Sequence, residues 1–128
     1  MFLSPNHGVY VSDDLIPIKH LINGSSIVQV QVDQVTYYHV ELAQHDLLLS
    51  EGLPSESYLD AGDRADFADS DAPMRLFPDF ASRPVEIALL WEACGCAPLV
   101  VHGPRLEAVR RWLNGLADGV AHGVAEAA

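Results

Sequence analysis

Turn signals divide the first 59 residues into short apolar runs. This spacing of turns restricts the possible fold classes more than any other feature of the sequence. Gly8–Val11 and residues 15–18 flank a Ser-Asp-Asp sequence at 12–14, which predicts a hairpin turn. An Asn-Gly pair at 23–24 is a second strong turn signal. Many short strands separated by turns are typical of a compact β body.

The runs between these turns have the residue patterns of strands. Residues 27–32 alternate apolar and polar side chains, as a half-buried strand does. Residues 35–42 are rich in β-branched and aromatic types, which favour strands. Three leucines at 47–49 predict a short buried strand that stops at the Glu-Gly-Leu-Pro sequence of 51–54. We therefore predict a mainly β fold for residues 1–59.

Beyond residue 59 the sequence predicts a connector, two helices and a tail instead of strands. Residues 60–82 are polar and contain two prolines, which indicates a connector. Residues 83–117 predict two helices, the first over 85–94 and the second opening at Pro104. Residues 118–128 are rich in alanine, glycine and valine, and we expect them to form a frayed tail.

The length and the net charge of the chain exclude some classes of binding partner. At 128 residues the chain is most simply one globular unit, and its formal net charge is −11, from 18 acidic and seven basic residues. Arg110 and Arg111 are the only adjacent basic pair, so nucleic acid and an anionic membrane surface are not expected partners. Seven acids between Glu51 and Asp71 accompany one base, Arg64. A solvated loop is the simpler interpretation of that stretch, and a cation site is the alternative.

The sequence contains no recognisable export or membrane signal. Met1 runs into Leu-Ser-Pro without a basic region, and no apolar run approaches the ~20 residues that span a bilayer. Cys94 and Cys96 are separated by one glycine, a spacing that strains a disulfide between them. We expect a soluble chain in a reducing compartment, cytoplasmic by default.

Two histidine-bearing segments carry the candidate chemistry. Ser4 and His7 stand just before the first predicted strand, and a sharp turn at Pro5-Asn6 would bring both side chains to one peptide group. His45 follows the predicted strand at 35–42. The pKa of a free histidine, about 6.5, suits proton transfer near neutrality. The alternative for such a histidine is a purely structural role beside an apolar strand.

The order of these segments resembles the Hint (hedgehog/intein) family of self-cleaving domains, particularly bacterial members outside true inteins. Residues 4–7, Ser-Pro-Asn-His, match the family's Thr/Ser-x-x-His block, and residues 35–49 match its later block of strand, turn, histidine and strand. Residues 51–60 look like the continuation in those members, and residues 97–100 with the following helix look similar to their C-terminal extension. The resemblance implies a horseshoe-like β body, incomplete at its N-terminus, followed by a two-helix extension.

The resemblance also implies a reaction, an intramolecular acyl shift that needs no cofactor or metal. In the family a cysteine or serine at the domain's first position attacks the preceding peptide carbonyl. By resemblance, His7 would protonate the departing amide nitrogen, and Ser4 would hold or distort the scissile peptide. His45 would assist breakdown of the resulting ester or thioester. Protonation matters because an amide nitrogen is a poor leaving group without it.

Two departures from the family pattern limit the expected activity. Three residues precede Ser4, so the family's first strand and its nucleophile are missing, and the distant Cys94 and Cys96 cannot replace it. Residues 53–55 stand where true inteins have a His-Asn pair. We therefore expect an N-terminally truncated domain that is inactive alone, with its missing segment on a separate or upstream polypeptide. Truncation would also expose strand edges and favour self-association.

Two other functions remain open on the sequence alone. One is a non-catalytic β-rich interaction module or remnant. The other is a small metal-binding domain, for which His39, Glu41, His45 and Asp46 offer nitrogen and oxygen donors. Zinc needs three or four converging ligands, and the spacing of these residues does not establish that they converge.

Overall fold

A computed structural model of the chain describes residues 1–59 and 84–126. The predicted connector at 60–82 lies outside the described residues. The four strands form one antiparallel sheet in the order β2-β1-β4-β3, so the N-terminal part is mainly β as predicted. The strands are β1 Gly8–Val11, β2 Asp14–Pro17, β3 Leu47–Ser50 and β4 Leu53–Glu56, and a short 3-10 helix, Ile18–Leu21, follows β2.

Two tight turns build the two hairpins of the sheet. Ser12 and Asp13 join β1 to β2 with φ angles of 53° and 66°, and Glu51 and Gly52 join β3 to β4 with φ angles of 51° and 84°. Positive φ at both central residues matches the right-handed twist of the flanking strands. The first hairpin confirms the turn predicted at 12–14. In the second, the chain returns as β4, which the sequence patterns did not predict.

The strands predicted at 27–32 and 35–42 are wrong, because neither stretch forms a strand. Alternation decides which side chains share a face, but a strand also needs a neighbour whose hydrogen bonds are free. β1 is paired on both edges, Leu15 of β2 bonds to residues 98–100, and β3 ends the sheet with β4 as its strand partner, so neither predicted stretch joins the sheet. The predicted Asn-Gly turn does form, with Gly24 at a φ of 74°.

Both predicted helices are present. α1 spans Pro84–Cys94, and α2 spans Pro104–Glu126, so α2 continues beyond residue 117, where the sequence predicted its end. No described helix combines the length and the apolar character needed to cross a membrane. The core lies between the first hairpin and the start of α2, and its buried residues are Val9, Ile16, Leu21, Val100, Leu106 and Val109.

Two contacts fasten the helical part to β2. The backbone of Leu15 bonds to Pro98 O and to Val100 N, at 2.9 and 2.8 Å. The buried Asp14 carboxylate also forms an ion pair with Arg105 in the first turn of α2. The loop between the helices is therefore held against the sheet, and this placement determines the site described next.

Candidate acid–base site

A tight turn places His7 at the entrance to β1. The backbone N–H of His7 donates to Ser4 O at 3.0 Å, which closes the turn predicted at Pro5-Asn6. Ile18 N–H donates to His7 O at 3.0 Å, so the first hairpin extends its hydrogen bonding to His7. Ser4 is half-buried and is joined to His7 through this backbone turn.

The site contains a carboxylate that the sequence analysis missed. Glu56 ends β4, and its Oε1 accepts a hydrogen bond from the Gly8 backbone N–H at 2.6 Å. Its side chain is 14% exposed. A Cβ at position 8 would lie 2.9 Å from Glu56 Cδ, so the absence of a side chain at Gly8 lets the carboxylate approach the backbone. The signal for Glu56 is the Glu-Gly turn at 51–52, which returns the chain as a strand beside β1.

His45, just before β3, lies beside the same carboxylate. Its side chain is fully buried, and its Nε2 lies 3.7 Å from Glu56 Oε2. Its Nδ1 accepts a hydrogen bond from the Cys96 backbone N–H at 3.0 Å. The ring packs edge-on against Trp91, with centroids 5.0 Å apart and planes at 86°. The buried Nε2 of His45 has no hydrogen-bond partner among the described residues.

Burial makes His7 a weak base in the folded protein. Loss of solvent lowers the pKa of His7 from its usual 6.5, the nearby Glu56 carboxylate opposes this change, and His39 adds to it. His7 is therefore mainly neutral at pH 7. His39 packs against Tyr58 with ring centroids 5.7 Å apart. His45 Nε2 thus lies 3.7 Å from the Glu56 carboxylate, which also bonds to the backbone N–H of Gly8 next to His7 and affects the His7 pKa. Ser4 is joined to His7 through its backbone turn.

The alternative metal set is not assembled. Within residues 1–59 and 84–126, no group of three or more histidine, cysteine, aspartate or glutamate side chains could hold a metal ion. Cys94 and Cys96 are exposed free thiols. Partial burial, followed by the charge of Asp46, raises the pKa of the Cys96 thiol. That thiol is therefore protonated at neutral pH and is a poor nucleophile.

Comparison with known proteins agrees with the resemblance seen in the sequence. Residues 1–62 match a family model described as Hint domain, and the match covers just under half of the 128-residue chain. A search of curated proteins found no match. A search of solved structures also found none. The matched stretch contains both hairpins and the candidate residues Ser4, His7, His45 and Glu56. Residues 1–62 of this chain are therefore similar to a Hint domain.

Proposed function

We propose that residues 1–59 supply the acid–base half of a self-cleaving Hint domain, which breaks a peptide bond by an intramolecular acyl shift. The supporting observation is the largely buried Glu56 carboxylate, which lies 3.7 Å from His45 Nε2 and accepts a hydrogen bond from the backbone N–H of Gly8, the residue after His7. We further propose that the four-stranded sheet is part of a horseshoe-like body. Its other strands and the attacking cysteine or serine would come from a separate or upstream polypeptide segment.

The proposed first step requires a group that can take and return one proton. The attacking thiol or hydroxyl forms a bond to the scissile carbonyl carbon and loses its proton to neutral His7. The carbon–nitrogen bond then breaks, and His7 returns that proton to the departing amine nitrogen. The lowered pKa of His7 suits both transfers, because the neutral ring accepts a proton and the charged ring releases it readily. Ser4 would hold the scissile peptide at the turn.

The proposed second step uses His45. Its Nδ1 is occupied as an acceptor by the Cys96 N–H, so the neutral ring carries its proton on Nε2. A buried N–H of this kind can donate to a carbonyl oxygen that gains negative charge when the ester or thioester is attacked. His45 would thereby assist breakdown of the intermediate, as the family resemblance implies.

The direct test supplies the proposed nucleophile. A family N-terminal segment that begins with cysteine is fused upstream of Met1 behind a reporter, and release of the reporter is followed by mass spectrometry. We expect cleavage in the fusion, and a loss of roughly 100-fold or more in rate for His7→Ala. His102→Ala is the matched control, since His102 is exposed in the loop before α2. An uncleaved fusion that retains a folded sheet would contradict the proposal.

A binding role is the alternative, and one surface favours it. An apolar cavity of about 630 Å³ lies beside the N-terminal residues, and its lining includes Phe2, Val28, Val30, Val32 and Trp112. These five side chains are roughly half-exposed or more. Exposed apolar patches of this kind mark association surfaces. Under this alternative, the chain associates with a second copy of itself through the patch.

A further inference from the structure

The loop after α1 lies beyond the family-matched residues, yet it contacts the candidate site. Cys96 in this loop donates its backbone N–H to His45 Nδ1, and Trp91 of α1 packs edge-on against the same ring. We propose that Cys96 and Trp91 are positioning residues for His45: the N–H selects the Nε2–H tautomer, and the indole fixes the plane of the ring. The consequence for cleavage rests on the proposed function.

The conformation of the loop explains how a backbone N–H can serve this purpose. Gly95 N–H donates to Trp91 O at 2.9 Å, the i to i−4 bond that completes the last turn of α1. A Cβ at position 95 would lie 2.6 Å from Trp91 O, so the turn has no room for a side chain. On the other side, the Pro98 carbonyl accepts from Leu15 N–H. Cys96 is therefore held between two anchored points.

The selected tautomer leaves one donor available in the site. The Nε2–H of His45 is buried, has no hydrogen-bond partner in the described part of the chain, and lies 3.7 Å from Glu56 Oε2. Leaving a buried donor unpaired is unfavourable, so a reacting oxygen that accepts from Nε2 gains an interaction that the resting site lacks. With the other tautomer, Nε2 would be an acceptor and would repel that oxygen.

The first experiment uses the unaltered chain, so it does not depend on any variant folding. A hydrogen bond between two nitrogens transmits a scalar coupling, which ¹⁵N NMR detects between the Cys96 amide and His45 Nδ1. We expect this coupling, together with a His45 Nδ1 shift typical of an unprotonated ring nitrogen. A protonated Nδ1 without the coupling would overturn the proposal.

The second experiment separates the backbone N–H from the thiol. Cys96→Pro removes the N–H, whereas Cys96→Ala keeps it and removes only the sulfur. We expect His45 ring-nitrogen shifts to change in the proline variant and to stay unchanged in the alanine variant. Trp91→Leu, which removes the indole, should broaden or shift the same signals. The amide spectrum of β1 checks that each variant is folded, and equal His45 shifts in folded Cys96→Pro and Cys96→Ala would overturn the proposal.

The third experiment measures the consequence in the cleavable fusion. We expect breakdown of the intermediate to slow by about tenfold or more in Cys96→Pro, with little change in Cys96→Ala. Unchanged breakdown in Cys96→Pro would overturn the positioning role. If even the unaltered fusion is not cleaved, the proposed function fails, while the coupling between Cys96 and His45 still decides whether the loop sets the tautomer.

Discussion

The Glu56 carboxylate accepts a 2.6 Å hydrogen bond from the backbone N–H of Gly8, which joins the end of β4 to the start of β1. The second oxygen of the same carboxylate lies 3.7 Å from His45 Nε2. One side chain therefore links the start of the first hairpin, next to His7, to His45 and the end of the second hairpin. We therefore expect the protonation of the site to depend on Glu56, although the family motifs contain only the histidines.

Replacing Glu56 with glutamine tests the electrostatic part of this link. Glutamine keeps an oxygen that can accept from Gly8 N–H but removes the negative charge that opposes the lowering of the His7 pKa. We expect the pKa of His7 to fall further in Glu56→Gln, as followed by NMR titration of the ring. Glu51→Gln is the control, because Glu51 lies in the exposed β3–β4 turn. An unchanged His7 titration in Glu56→Gln would show that the carboxylate does not act on His7.

The lowered pKa of His7 predicts a dependence of stability on pH. The unfolded chain has a His7 pKa near 6.5 and the folded chain a lower one, so between these values the unfolded state binds more protons. The free energy of unfolding therefore rises with pH across this window and levels off above about 6.5. Denaturant titrations between pH 5 and pH 7.5, a range set by the usual histidine pKa, should show this slope.

His7→Gln should flatten that slope, since glutamine does not titrate. A residual slope is expected from His20, whose pKa is also lowered, first by burial and then by the charges of Lys19 and Arg110. The double variant His7→Gln/His20→Gln should be flatter than either single variant. Equal slopes in the wild type and the double variant would contradict the assignment of the pH dependence to these residues.

Local chemistry accounts for the parts of the fold that the sequence predicted. The turn at Ser12-Asp13 and the helix starts at Pro84 and Pro104 depend on residues that are neighbours in the chain. Residues 27–32 alternate as a half-buried strand would, but a strand also needs a pairing partner, and residues 98–100 rather than 27–32 bond to Leu15 at the β2 edge. No pattern within 27–32 contains that information.

The candidate site likewise has a part that the sequence predicted and a part that it did not. His7 and His45 were predicted from side-chain types. In the structure His45 lies beside Glu56, and His7 precedes the glycine whose N–H bonds to the same carboxylate. The contact between Cys96 and His45 uses a backbone N–H, which every residue except proline has, so the residue type at 96 gives no sign of it. Predicting this contact would have required knowing how the loop after α1 folds onto the sheet.

The ion pair between Arg105 and Asp14 should contribute to stability. Asp14 is almost completely buried, whereas Arg105 is about half-exposed, so removing the guanidinium leaves a buried carboxylate without this partner. We expect Arg105→Ala to lower the free energy of unfolding by about 1–3 kcal/mol, a range reduced for the exposure of the arginine. Arg111→Ala, on the exposed side of the same helix, should change it by less than about 0.5 kcal/mol. Equal effects in urea denaturation would contradict this account.

Self-association is expected if the apolar cavity is an association surface. Val30 is 51% exposed and lies in the segment that lacks strand pairing. A charged side chain there would be costly to bury in an interface. Light scattering after size exclusion should give a mass above that of one chain for the wild type and a lower mass for Val30→Lys. Val85→Lys, at an exposed position of α1 outside the cavity, is the control. A monomeric wild type at high concentration would rule out this association.

Two glycine substitutions test how tightly α1 is fastened to the site. An alanine Cβ at position 95 would lie 2.6 Å from Trp91 O and 3.0 Å from the indole ring, so the loop or the ring must move. We expect Gly95→Ala to lower the free energy of unfolding by about 1–3 kcal/mol, as overpacking does. Because Trp91 and Cys96 both contact His45, the same change should alter the His45 ring-nitrogen shifts.

Gly115→Ala is the matched control for this substitution. Gly115 lies within α2, and a Cβ there would meet nothing within 4 Å. Alanine is the better helix former, so this variant should gain about 0.5–1 kcal/mol and leave His45 unchanged. Thermal or urea unfolding gives both energies, and ¹⁵N NMR gives the ring shifts. If Gly95→Ala were as well tolerated as Gly115→Ala, with the same His45 spectrum, the close contact between Gly95 and Trp91 would not be what positions Cys96.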